Sequence, residues 1–174
     1  MKLLLHTCCA PCSIYCIKEL KSEGIIPTLY WYNPNIHPFT EYKNRKDTFV
    51  KYANSIDVKM IMEEEYGLKT FTKNVIDNLE NRCEYCYRTR LEKTAVTAKQ
   101  NGYTAFSTTL LISPYQNHEK LKTIGETLSK KYEIEFLYRD FRKGFREGQQ
   151  LARRSGVIYA EILRLYFFRR GALL

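Results

Sequence analysis

No stretch of this sequence approaches roughly 18 consecutive apolar residues, which excludes a membrane-spanning helix of ordinary length. The apolar run near its start, Leu3-Leu4-Leu5, is too short for a secretory leader. His6 and two cysteines then follow where a small-residue cleavage site would form, so a cytoplasmic protein is expected. Repeats and low-complexity linkers are missing, and no shift of composition marks a domain boundary. Acidic residues are in deficit: 19 Asp and Glu stand against 28 Lys and Arg, a net charge of +9. Such an excess favours a polyanionic partner, nucleic acid foremost. With 174 residues, 44% of them hydrophobic, the chain is long enough to bury a sizeable core in one domain.

What is present is a regular alternation. Lys2 to His6 is a short uncharged run after its first residue, read as a buried strand, and Ser13 to Ser22 repeats its apolar residues at helical spacing. Ile25 to Tyr32 is a second strand, rich in β-branched and aromatic residues. Two prolines make Asn33 to Pro38 an irregular loop. Thr40 to Ser55 is predicted as a helix capped by Thr40, with Tyr42, Phe49 and Tyr52 inward and Lys43, Arg45, Lys46 and Lys51 outward. Val58 to Met62 is a third strand and Thr70 to Leu79 a helix. Another helix opens at Cys83 and ends near Gln100 before Asn101-Gly102. Tyr103 to Thr108, a helix from Asn117 to Lys131, Ile134 to Leu137 and a helix from about Phe145 complete the series. Strands alternating with helices mean an α/β domain, a mainly parallel sheet covered on both faces. Ligands of such sheets lie beyond the carboxyl ends of the strands, where Thr7 to Cys12, Asn33 to Pro38 and Thr108 to Ser113 all fall.

Five of the six cysteines lie in two tight clusters, Cys8-Cys9-Ala10-Pro11-Cys12 and Cys83-Glu84-Tyr85-Cys86. In a reducing compartment this argues metal or redox chemistry rather than a disulfide framework. Thiols at a helix start are held as thiolates, the form that binds metal, by the dipole and the free amides. Two Cys-x-x-Cys pairs can supply four thiolates to one centre, and zinc and an iron–sulfur cluster are its two natural occupants. Distant segments meeting at a ligand-binding edge suit a reactive cluster better than structural zinc. Cys16, among Ile14 and Ile17, reads as a core thiol. His6, His37 and His118 are weaker candidates.

Several motifs occur in order: His6-Thr7-Cys8-Cys9-Ala10-Pro11-Cys12, Tyr32-Asn33-Pro34-Asn35-Ile36-His37-Pro38, Glu41-Tyr42-x-x-Arg45, Arg82-Cys83-x-x-Cys86-Tyr87-x-x-Arg90-Leu91 and Thr108-Thr109-Leu110-Leu111-Ile112-Ser113-Pro114-Tyr115-Gln116. With them the chain resembles the cobalamin-independent epoxyqueuosine reductases, the QueH family, from about Leu3 to Val157. The resemblance implies a domain similar to the adenine-nucleotide-hydrolase-like fold. It implies the last step of queuosine biosynthesis, a two-electron deoxygenation of epoxyqueuosine at the wobble position of tRNAs with GUN anticodons (Asp, Asn, His, Tyr), fed by an external electron donor. It further implies a 4Fe-4S cluster held by Cys8, Cys9, Cys83 and Cys86. Cys12, replaced by aspartate in some members, then binds a second, mononuclear iron or the epoxide oxygen, with His6 beside it. Lys43, Arg45, Lys46, Arg139, Arg142, Lys143 and Arg146 are the candidates for tRNA phosphates, and Tyr32 and Tyr115 for stacking on bases.

Two other readings compete. Cys9-Ala10-Pro11-Cys12 between a strand and a helix resembles a thioredoxin-like thiol–disulfide oxidoreductase, with Ser113-Pro114 as its proline loop, but leaves Cys8 and the second pair unused. A zinc-stabilised RNA-binding module is the third.

The resemblance stops at the C-terminus. Members of the family finish on a segment like Tyr-x-x-Lys-Tyr-Cys-Gly-Cys-x-x-Ser, whereas residues 158–174 contain no cysteine. One reverse translation of them, read after dropping a single base, gives Tyr-Met-Gln-Lys-Tyr-Cys-Gly-Cys-Ile-Phe-Ser. The expectation is a domain over residues 1–157 followed by a frameshifted tail.

Overall fold

Leu3–His6 form a strand, β1, whose four residues are all buried. A strand covered on both faces belongs inside a parallel sheet. The computed structural model of the chain, which describes residues 1–156, puts β1 in the middle of such a sheet. On one side lie β2 (Thr28–Trp31) and β3 (Met60–Met62), on the other β4 (Ala105–Thr108) and β5 (Glu135–Phe136). The order is β3-β2-β1-β4-β5 and every pairing is parallel, with His6 opposite Tyr30 and Thr108. This is a single α/β domain of the doubly wound kind. Its chain reverses direction of travel between β3 and β4, so the carboxyl ends of β1 and β4 border the crevice.

Among the described residues six helices cover the sheet: α1 (Ala10–Ser22), α2 (Phe39–Ser55), α3 (Leu68–Val75), α4 (Arg82–Gln100), α5 (His118–Tyr132) and α6 (Phe145–Arg154). Trp31, Tyr30, Phe49 and Phe106 are fully buried, with the rings of Trp31 and Phe49 stacked at 5.5 Å. Each such side chain contributes roughly 1.5–3 kcal/mol of burial. Where α6 meets α1 the approach is close enough that a Cβ on Gly144 would stand 2.1 Å from the Tyr15 ring. Gly102, at φ +65, ends the turn after α4, as its sequence position suggests.

Most elements fall within a few residues of expectation, and three differences have a clear physical reason or consequence. The second strand begins at Thr28, because Pro27 has no amide to give a ladder and Ile26 is turned out to solvent. The second helix begins at Phe39 after Pro38, and Thr40 makes no capping bond. The third helix is shorter, ending at Val75 before a 3-10 turn at Leu79–Asn81. The tail expected over residues 158–174 lies outside the described residues.

Candidate active site and metal centre

The segment after β1 is moored before it does anything chemical. Thr7 donates from its amide and its hydroxyl to the Tyr30 carbonyl, at 2.8 and 2.9 Å. Asn33 donates back to the Thr7 carbonyl at 2.9 Å. His6 is wholly buried, its Nδ1 2.9 Å from the Thr108 hydroxyl and its Nε2 3.3 Å from both the Tyr32 carbonyl and Asn33 Oδ1. Burial, with the Arg90 guanidinium nearby, lowers its pKa to about 4. A neutral imidazole with both nitrogens engaged ties the ends of β1, β2 and β4 together. The structure therefore gives His6 a positioning place, away from the lining of the cavity described below.

Beyond that mooring, α1 opens on Cys9 in an extended conformation, with Pro11 in its first turn and no side-chain cap. The free amides of that end and the local dipole favour negative charge. There the sulfurs of Cys8, Cys9 and Cys12 lie within 4.8 Å of one another, Cys8 and Cys9 being 3.9 Å apart. The Thr109 hydroxyl donates to the Cys8 sulfur at 3.6 Å, and the Cys8 amide donates to the same hydroxyl oxygen at 3.3 Å. Hydrogen bonds from Cys12 and Cys9 hold the Cys8 thiol well below its ordinary pKa. The Cys8 and Cys9 sulfurs and burial in turn push Cys12 well up. Cys9 is drawn down by Cys12 but more strongly pushed up by Cys8 and burial. Negative charge is thus favoured on the Cys8 sulfur and disfavoured on the other two. Three sulfurs this close ionise together only around a cation, so the donor set fits a thiolate-bound metal.

The second pair sits differently. Cys83 and Cys86 belong to the first turns of α4, Cys83 exposed and Cys86 partly covered, and neither joins the tight trio. A cavity of about 210 Å³ adjoins Cys8 and is lined also by Asn35, His37, Glu41, Arg45, Arg90 and Gln116. Arg90 donates from Nε to the Cys86 carbonyl at 2.8 Å, and burial raises the Cys86 pKa. Cys86 therefore adjoins a residue of the cavity wall, while Cys83 is exposed. His37 has both ring nitrogens buried without a partner and packs against Tyr66 and Phe71 at 5.2 and 4.9 Å. Burial lowers its pKa. Tyr87 closes the far side by donating to Gln116 at 2.6 Å.

A family model described as epoxyqueuosine reductase QueH matches residues 3–161. The chain belongs to the QueH family. A relative named epoxyqueuosine reductase QueH from Dehalococcoides mccartyi is 38% identical over 152 residues, which cover 87% of this chain and 84% of the relative. One of the same name from Thermotoga maritima is 35% identical over 165 residues, covering 89% and 83%. The structure of a predicted subunit of tRNA methyltransferase from Methanocaldococcus jannaschii is similar in fold. It has a TM-score of 0.57 over 87% of this chain and 74% of that one, at 14% identity. Membership of the QueH family leaves the thioredoxin-like and zinc-module readings without support.

For a QueH member the basic surface is more selective than its sequence suggests. Arg45 does not face outward: its guanidinium turns into the cavity wall and pairs with Glu41 at 2.5 Å, both side chains largely buried. Lys46 pairs with Glu64 at 2.7 Å, Arg139 with Glu23 at 3.2 Å, Arg142 with Asp140 at 2.5 Å and Lys143 with Glu19. Lys43 and Arg146 are exposed. Tyr32 is buried, its hydroxyl on Glu65, and so is withdrawn from base stacking, whereas Tyr115 is 45% exposed next to Gln116. His118 is fixed by Nε2 on the Ser113 carbonyl at 3.2 Å, outside the cavity lining. Cys16 is the core thiol expected of it. Sequence reasoning gave no role to Glu41, Arg90 or Gln116. The signal for the first was available: Glu41, Arg45, Thr48, Phe49 and Tyr52 share one stripe of α2.

Proposed function

We propose that this chain reduces epoxyqueuosine to queuosine at the wobble position of tRNAs with GUN anticodons, using a 4Fe-4S cluster on Cys8, Cys9, Cys83 and Cys86. The observation that carries the metal reading is the trio of buried sulfurs within 4.8 Å, set against a cavity at the carboxyl edge of the sheet in a QueH member. The reaction consumes two electrons and two protons, breaks both C–O bonds of the epoxide, forms a C=C bond and releases water. When bound, an iron–sulfur cluster supplies electrons one at a time. Cys12, the third sulfur, is free in this scheme to hold a second iron or to bind the oxygen that leaves.

The chain's own groups fit a single-stranded loop. The cavity is of a size to admit one splayed base, and the exposed rings of Phe39 and Tyr115 follow or precede the lining residues Pro38 and Gln116. Such rings stack on unpaired bases. Lys43 and Arg146 are the strongest remaining candidates for phosphate contacts, with Lys46, Arg139, Arg142 and Lys143 available where their acidic partners let go. No helix of the described residues is long and apolar enough to cross a membrane, which accords with work on cytoplasmic tRNA. The tail from residue 158 is proposed to be out of frame, and the encoding DNA decides that point: a neighbouring frame without Cys-Gly-Cys ends it.

The test is anaerobic reconstitution with iron and sulfide, followed by epoxyqueuosine-containing tRNA and a low-potential reductant, with the nucleoside read by mass spectrometry. The expected result is a brown protein and conversion to queuosine. A colourless protein, or a nucleoside left unchanged, overturns the reading.

A further inference from the structure

The cavity wall contains two arginines, and they are balanced differently. Arg45 is neutralised by Glu41 at 2.5 Å. Arg90 is 6% exposed and has no carboxylate partner among the described residues; its hydrogen bond runs from Nε to the Cys86 carbonyl. Its guanidinium lines the cavity together with Cys8 and lies in the electrostatic reach of both Cys86 and His6. A buried cation without an anion is costly, and a protein retains one where something else brings the negative charge. His6 does not, since an imidazole brings no negative charge whether neutral or protonated.

The geometry points to Arg90 as the countercharge of the metal centre, a positioning residue that sets how readily the centre accepts an electron. The inference rests on the thiolate-bound centre proposed above. Thiolate ligands make such a centre anionic, and each electron adds a further negative charge without bringing a proton. A fixed guanidinium in a wall of low dielectric favours the reduced form and raises its potential. Arg45 also faces the Cys8 and Cys9 sulfurs, but Glu41 at 2.5 Å offsets its charge, so the pair contributes less than Arg90. The two arginines therefore make opposite predictions for neutral substitutions: Arg90→Met removes a net positive charge, whereas Glu41→Gln uncovers one.

The experiment is a spectroscopically monitored redox titration of the reconstituted protein at fixed pH, with iron and sulfide counted per chain in every variant. Arg90→Met is expected to lower the reduced-to-oxidised ratio at a given poise at least tenfold, a shift of about 59 mV or more to lower potential. Glu41→Gln is expected to shift it the other way, and Arg90→Lys to stay near wild type. Failure of Arg90→Met to fold or load leaves the Glu41→Gln and Arg90→Lys arms to decide. Wild-type potential in a loaded Arg90→Met, or a downward shift in Glu41→Gln, overturns the inference. A wild-type chain that binds no cluster overturns the proposed function instead.

Discussion

Cys8-Cys9-x-x-Cys12 and Cys83-x-x-Cys86 are alike as text and unlike as structure. The first cluster is packed at the end of the central strand, its three sulfurs within 4.8 Å of one another, with Thr109 and the first turn of α1 around it. The second rides the start of α4 behind a 3-10 turn, with Cys83 exposed and flanked by the outward-turned Leu79. Position in the sheet makes the difference. The end of β1 is fixed from both sides by β2 and β4, whereas Cys83 and Cys86 lie in the first turns of a helix entered through a 3-10 turn. One half of the proposed centre is thus prearranged, and the other half is brought to it by a helix terminus with fewer constraints.

The harshest way to break this comparison is to remove one sulfur from each side. Cys8→Ala and Cys83→Ala should each abolish a 4Fe-4S centre, leaving near-zero iron and sulfide in a soluble chain with wild-type far-UV circular dichroism. If Cys83→Ala kept full iron and sulfide, the exposed pair would be a bystander and the trio would be the whole site. A smaller effect concerns what keeps the trio in place. Gly144→Ala drives a methyl into the Tyr15 ring where α6 supports α1. Overpacking of that kind costs about 1–3 kcal/mol, to be read as a lower denaturant midpoint. Unchanged stability would mean that α1 moves freely, against the rigid picture of its first turn.

Reactivity sharpens the contrast without mutation. In the metal-free chain a maleimide should label Cys83 first. Cys16 should label last, because it is fully buried and burial pushes its thiol well up. Peptide mapping by mass spectrometry gives the order, and equal rates for Cys83 and Cys16 would contradict the burial described. The smallest effect expected is at Lys43, exposed on the helix that carries Arg45. Lys43→Glu should weaken tRNA binding a few-fold at low salt and reduce the slope of log affinity against log salt by about one per lost phosphate contact. An unchanged slope would take that face out of the interface.

Strand positions were legible because short runs without internal charge, such as Leu3 to Leu5 and Ala105 to Phe106, have nowhere to go but a covered sheet. The early start assigned to β2 failed at Pro27, a residue whose missing amide was visible and should have counted. The crowding of Cys8, Cys9 and Cys12 could be read from their spacing at a helix start. The relation of that trio to Cys83 and Cys86 could not, because it depends on how far α4 reaches over the sheet edge. Arg45 shows the other limit: basic residues on α2 read as solvated by default, while its helical stripe also carries Glu41 and three buried side chains. Only packing decides which way such a residue turns.

The central place of β1 has a consequence for how the protein comes into being. The strand made first needs a neighbour made about a hundred residues later, since Leu3 pairs with Ala105 and the Cys8 amide waits for the Thr109 hydroxyl, 101 positions on. Long-range parallel pairing of this kind forms late and slowly. On the ribosome, Cys8, Cys9 and Cys12 therefore emerge as loose thiols and stay so through most of synthesis. A metal held by those three sulfurs would have to await the docking of β4, because until then the strand end that carries them has only one of its two neighbours.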